Sequence, residues 1–194
     1  MNIEVSNVAK LPTKHGDFLI QSFKELKESG AKEHLVIFTK DLETLLENGP
    51  IVRIHSECLT GDAISSVKCD CQAQLNYALD FINESLGMVI YLRQEGRDIG
   101  LFNKVNAYAL QDQGFDTVEA NHQLGFASDE RTYEVVDFIF DYYKIDKIKL
   151  MTNNPAKLKG IKVKIVEQIP IQVGITTQNT HYLRIKKEKM DHIL

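Results

Sequence analysis

Apolar positions along this chain follow two periods. Short apolar or β-branched runs at 18–23, 35–38, 51–54, 88–92, 148–151 and 163–169 predict strands. Between them the spacing lengthens to three or four, at Leu75, Leu79, Ile82 and Leu86 and again at Val135, Phe138, Ile139 and Tyr142, which predicts helices with one buried face each. Gly87 and Gly114 read as helix stops. Strands interleaved with helices predict an α/β (or α+β) fold, a mixed sheet covered by helices, although the pattern does not encode strand order.

With 194 residues, 43% of them apolar, there is material for one well-buried core. No repeat and no Pro/Gly/Ser linker interrupts the chain, so we expect one domain over 1–194. No apolar stretch approaches the roughly 20 residues that span a bilayer. The start, Met1-Asn2-Ile3-Glu4, lacks the order of a signal peptide, so the expected location is the cytoplasm. A net charge of -4 gives no general reason to expect nucleic acid or membrane as partner. Arg53, Arg93, Arg97, Lys104, Arg131 and Lys157 nevertheless fall in or beside stretches rich in Gly, Asn and His. They are either ordinary solvated side chains or, if those stretches converge, a basic pocket for a small polyanion such as a nucleoside triphosphate.

Cys58, Cys69 and Cys71 are the only cysteines. An odd number at short, unequal spacing argues against a disulfide framework and toward metal binding or thiol chemistry. Three thiolates can hold zinc and leave a tetrahedral position open for water, whose pKa falls from about 15.7 to roughly 7. Cys69 and Cys71 also precede the 75–86 helix, whose dipole favours thiolate. The alternative is buried core cysteine, against which stand the polar neighbours Glu57, Asp62, Asp70 and Gln72. His55 is either a fourth ligand, which makes the site structural, or a group that orients substrate.

Three further motifs sit where predicted strands end. Arg93-Gln94-Glu95-Gly96-Arg97-Asp98-Ile99-Gly100 enters a helix at about Leu101, and its glycines and arginines suit phosphate; a plain tight turn is the alternative. Asp129 and Arg131 open a helix predicted over 131–145, where Ser128 or Asp129 is either an N-cap or something more. Thr152-Asn153-Asn154-Pro155 with Lys157 starts another helix, as an anion site or only as a routine proline start.

Together, His55-Ser56-Glu57-Cys58-Leu59-Thr60-Gly61-Asp62, Cys69-Asp70-Cys71, Arg93-Gln94-Glu95-Gly96-Arg97, Tyr108-Ala109-Leu110-Gln111-Asp112, Gly125-Phe126-Ala127 with Asp129 and Arg131, and Thr152-Asn153-Asn154-Pro155 resemble GTP cyclohydrolase II. The likeness runs from Leu11-Pro12-Thr13 to Lys189-Met190. That family opens the guanine imidazole ring of GTP and releases formate and pyrophosphate, the first committed step of riboflavin synthesis. The resemblance implies zinc on Cys58, Cys69 and Cys71, with activated water attacking carbon 8. It implies GTP binding by Arg53, Ile54, His55, Ser56, Glu57, Gln74, Glu95, Gly96, Arg97, Thr117, Thr152 and Lys157. It assigns Asp129 as proton acceptor and Arg131 as nucleophile on the α-phosphorus, or as the group that stabilises the leaving pyrophosphate. Magnesium on the triphosphate and a homodimer also follow from it. Tyr108 matches the position associated with the second hydrolysis, which argues against a relative that retains the formyl group. A non-catalytic nucleotide-binding protein with a structural Cys3His zinc site is a further alternative, disfavoured by Asp129 and Arg131. Departures from the family pattern stand at Gln72, Ala156 and Asp191.

Overall fold

A computed structural model describes residues 1–28, 30–39, 45–47 and 49–190. Eight strands form one sheet: β1 (Asn2–Val5), β2 (Ala9–Thr13), β3 (Gly16–Lys27), β4 (Gly30–Phe38), β5 (Ile51–Ser56), β6 (Gly87–Leu92), β7 (Lys147–Met151) and β8 (Lys164–Ile169). Their order is β1-β3-β4-β6-β5-β7-β8, with β2 paired to β3 beside this path. Pairs from β1 to β6 through β4 are antiparallel, whereas β5 pairs in parallel with both β6 and β7, and β7 with β8. The sheet is therefore mixed, as expected. All six predicted strands form; β3 runs longer than 18–23, and β1 and β2 are additions.

The helices bounded within the described residues are α1 (Leu59–Asp62), α2 (Cys71–Ser85), α3 (Gly100–Asp112), α4 (Thr117–Gln123), α5 (Glu134–Tyr143), α6 (Pro155–Lys159) and α7 (Thr180–Met190). Each face of the sheet has its own cover. Val135, Val136, Ile139, Phe140 and Tyr143 of α5 pack with Val52, Ile54, Met88, Ile90, Leu92, Ile148 and Leu150. On the other face Ala78, Leu79 and Ile82 of α2 pack with Phe18, Val89 and Met151. Burial on both sides is why β6 reads as a nearly unbroken apolar run rather than an alternating one, and why even Arg53 and His55 of β5 are buried.

Period two along β5 now separates two jobs. Val52 and Ile54 enter the α5 core, so Arg53 and His55 project to the α2 face. The helix expected over 131–145 begins only at Glu134, with Tyr133 as N-cap, so neither Ser128 nor Asp129 caps it. Gln94 Nε2 donates to the Thr132 carbonyl at 2.7 Å, and Arg131 N to Asp129 Oδ1 at 3.1 Å, which occupies these groups outside the helical ladder. Gly87 does not simply stop α2: Leu86 is the C-cap, with a positive φ (57°), and Gly87 opens β6.

Candidate active site

β5 lies between β6 and β7, and the chain leaves it for β6 on one side and later returns to β7 on the other. In parallel sheets such a reversal leaves a crevice beyond the carboxyl ends of the strands. The motifs predicted at strand ends are the segments that line it: Cys58 after β5, 94–97 after β6 and 152–154 after β7. The cavity there holds about 160 Å³.

Cys58, Cys69 and Cys71 meet at one wall, their sulfurs all within 4.8 Å of one another and Cys58 Sγ 3.6 Å from Cys69 Sγ. Gly61 makes the room: a Cβ there would come within 3.1 Å of both the Cys58 and Cys69 sulfurs. Lys104 Nζ donates to Cys58 Sγ at 3.2 Å and to Glu95 Oε1 at 2.7 Å. Hydrogen bonds from the other two thiols, aided by Lys104, hold the Cys58 pKa far below its ordinary value. Those same bonds push Cys69 up to about 11 and raise Cys71 well above its usual value. Three sulfurs so close share one negative charge unless a cation joins them, which is the donor set and the demand of a zinc site.

His55 is not part of this cluster. Its Nε2 faces both Asp62 carboxylate oxygens at 3.2 Å, and its ring stacks on Tyr91 with centroids 5.4 Å apart. Asp62 also accepts from Cys58 N at 2.9 Å and Tyr91 Oη at 2.8 Å, so one buried carboxylate sets both the histidine and the cysteine loop. Among the described residues the group that could hold a metal ion is Cys58, Cys69 and Cys71, without His55.

Across the cavity the cations gather. Arg53 donates to the Met151 carbonyl at 3.1 Å and to Gln74 Oε1 at 2.6 Å, and burial lowers its pKa to about 10. Lys157 Nζ donates to the Ile54 carbonyl at 2.7 Å; burial, then Arg53 and Arg131, push its pKa well down. Arg131 grips both Asp129 oxygens, with Nε at 2.8 Å, and reaches Ser56 Oγ at 3.3 Å. Burial disfavours both charges of this pair, yet the shared hydrogen bonds prevail, raising Arg131 and lowering Asp129. Like charges collected out of water are costly unless an anion joins them.

Every predicted site residue lines the cavity except Ile54 and Asp129. Ile54 offers its carbonyl to Lys157 while its side chain lies in the α5 core, and Asp129 stands behind Arg131. Tyr108 shares a hydrogen bond with Thr60 Oγ1 at 3.2 Å, and burial pushes its phenol up to about 12. Glu57 lines the wall while accepting from Arg93 at 2.8 Å; Arg93 itself is outside the cavity. Arg97, in the left-handed region (φ 62°), is held by donating to the Ser128 carbonyl at 3.0 Å. Gly96, Thr117 and Thr152 complete the rim with main chain or hydroxyl.

The GTP cyclohydrolase II family model matches residues 4–170. The chain belongs to the GTP cyclohydrolase II family. It is 58% identical over 195 residues to the GTP cyclohydrolase-2 of Campylobacter hominis, covering 100% of this chain and 97% of that protein. To the GTP cyclohydrolase-2 of Helicobacter acinonychis it is 54% identical over 193 residues, covering 99% and 98%, and to that of Helicobacter pylori 53% over 193 residues, again 99% and 98%. As a GTP cyclohydrolase II family member, this chain is an enzyme of that type.

Two of the three departures lie outside the cavity. Gln72 donates to Ser65 Oγ at 2.9 Å, and Ala156 faces solvent. Asp191 lies outside the described residues. Reading the sequence missed Asp62, Asp70, Tyr182 and Lys186 as site groups. That the family likeness runs on to Lys189-Met190 was the available signal that the carboxyl-terminal segment lies at the site.

Proposed function

We propose that the cavity binds GTP with magnesium on its triphosphate, and that Cys58, Cys69 and Cys71 hold one catalytic zinc. The products are formate, pyrophosphate and the diamino-ribosylamino-pyrimidinone 5'-phosphate, the first committed step of riboflavin synthesis. The observation that carries this reading is a three-sulfur cluster on one wall of a cavity with buried Arg53 and Lys157 and half-buried Arg131 on another. A zinc ion held there supplies the Lewis acidity that makes water a hydroxide-strength nucleophile near neutral pH.

The chain's own groups do the rest. Arg53 and Lys157 bind phosphate oxygens, and Gln74 holds Arg53 in place. His55 and Ser56 line the floor beside the cysteines, where Asp62 fixes the imidazole. Tyr108 keeps its phenolic proton and donates it as a hydrogen bond during the second hydrolysis, so that formate leaves. Arg131 stays charged, locked on Asp129, and stabilises negative charge on the leaving pyrophosphate rather than attacking phosphorus. Asp129, ionised, orients it.

Incubation with GTP, zinc and magnesium, assaying formate and pyrophosphate together, tests the reading. We expect both products at equal rates from the wild-type protein and neither from Cys58→Ser. A folded, zinc-loaded protein that forms neither product would overturn the proposal, and formyl-retaining product by mass spectrometry would favour the related cyclohydrolase.

Thiolate ligands and GTP both suit the cytoplasm. We also read the protein as a homodimer. On α3, Leu101, Phe102 and Val105 are 40%, 79% and 52% exposed, an apolar face suited to a second copy. Sedimentation should return twice the chain mass of 22.1 kDa, and Phe102→Asp should shift it to monomer. A wild-type monomer at micromolar concentration would rule this out.

A further inference from the structure

The segment after β8 does more than end the chain. Asn153 exchanges two hydrogen bonds with the Ile171 backbone, at 2.6 and 2.9 Å. Gly174 then packs so tightly on α2 that a Cβ there would lie 2.5 Å from that of Ala73. Asn179, 1% exposed, donates to the Gly174 carbonyl at 2.7 Å and accepts from Thr176 N at 2.9 Å, fixing the turn into α7. Leu183 and Ile185 of α7 are buried, and Lys189 pairs with Asp116 and Glu119 at the start of α4.

Held at both ends, α7 brings Tyr182 and Lys186, one turn apart, to the wall of the cavity. Lys186 Nζ lies 4.5 Å from the Tyr182 ring centre and donates to Asp70 Oδ1 at 2.9 Å. Asp70 Oδ2 accepts from Gln74 Nε2, and Gln74 Oε1 accepts from Arg53 at 2.6 Å. The side chains of Lys186 and Asp70 are 13% and 2% exposed. A continuous chain of polar contacts therefore runs from the carboxyl-terminal helix to a cation in the middle of the cavity.

We propose that Lys186 is a positioning residue of the nucleotide site, holding Arg53 through Asp70 and Gln74, and that α7 is the strap that delivers it. This rests on the reading of the cavity as the GTP site. Asp70 bridges two donors, one from Lys186 and one from Gln74. Without the ammonium Asp70 keeps the Gln74 amide as donor and Arg53 as a neighbouring charge, but its carboxylate is no longer pinned from the α7 side, so the Gln74 side chain it orients toward Arg53 is held less firmly. The consequence falls on substrate affinity, because Arg53 is read as a phosphate ligand and not as a group in bond-breaking.

The test is steady-state kinetics with GTP on zinc-loaded full-length protein, comparing wild type, Lys186→Met, Lys186→Gln and Lys186→Arg, with zinc content measured on each. We expect Lys186→Met and Lys186→Gln to raise KM about tenfold or more, the scale of one lost charge-assisted hydrogen bond. Their kcat should stay within about threefold of wild type, the pattern of a lost binding contact. Lys186→Arg should recover most of the affinity, and all four proteins should carry equal zinc. An active wild type with unchanged KM in both neutral variants overturns this inference alone, as does zinc loss with a normal KM in the loaded fraction. A wild type that forms neither formate nor pyrophosphate overturns the GTP reading and this inference with it.

Discussion

Arg131 is where burial, geometry and charge agree most closely on a role. Its side chain is 11% exposed, and its guanidinium makes a two-pronged contact with Asp129 that leaves one nitrogen on Ser56. A group whose pKa is raised above an already high value does not shed its proton to attack phosphorus. In the proposed reaction it presents fixed positive charge to the departing pyrophosphate. Arg131→Ala should therefore lower kcat for pyrophosphate release by about 10²–10³, the scale of a lost transition-state donor. Arg131→Lys should rescue little, since an ammonium cannot reproduce the fork that Asp129 and Ser56 position. Quantifying pyrophosphate in single turnovers checks this; near-normal release from Arg131→Ala would remove Arg131 from the chemistry. Lys104 illustrates what a sequence shows at this scale: its charge was legible, but its contact with the Cys58 sulfur depends on Glu95 and α3 meeting the cysteine loop.

At the scale of elements, β5 and β6 must lie very close. Gly87 pairs with Ile51, and a Cβ on it would stand 2.5 Å from the Ile51 carbonyl oxygen, a backbone atom that cannot rotate aside. Gly87→Ala should cost about 1–3 kcal/mol, as overpacking does, read as a lower urea midpoint at unchanged m-value. An unchanged midpoint would mean that the strands part freely. The central strands were legible because each carries a short run of buried apolar or β-branched residues; β1, with only partial burial, and β2, an edge strand carrying Pro12, left no such mark. Likewise α7, crowded with Lys186, Lys187, Glu188 and Lys189, shows no clear apolar stripe. The cysteine spacing pointed to the cluster of three sulfurs, whereas the Lys186 to Asp70 contact joins residues 116 positions apart, beyond the reach of any local pattern. Strand order, and with it the crevice between β6 and β7, is likewise a property of tertiary pairing.

For the molecule as a whole, the antiparallel half of the sheet carries a titratable joint to the half that forms the site. His34 on β4 is 1% exposed, and its Nδ1 accepts the Arg93 amide at 3.0 Å, just where the chain leaves β6 for the cavity turn. Only a ring unprotonated at Nδ1 can accept that bond, so the folded state holds His34 neutral, with Nε2–H directed at Glu25, 3.4 Å away. Burial lowers its pKa below the ordinary 6.5; Glu25 opposes this, while Lys32 and Lys27 add to it. The unfolded chain therefore binds the proton first as pH falls. Stability from this group is complete above about pH 6.5 and declines as pH drops below it, by at most about 1.4 kcal/mol per pH unit for one proton. Urea unfolding of wild type and His34→Asn at pH 7.5 and pH 5.5 isolates the effect, because the variant cannot titrate at this position. We expect the wild type to lose more stability than the variant between the two. Equal losses would show that His34 takes up its proton in the folded protein as readily as in the unfolded chain, and that the Arg93 turn is held by other contacts.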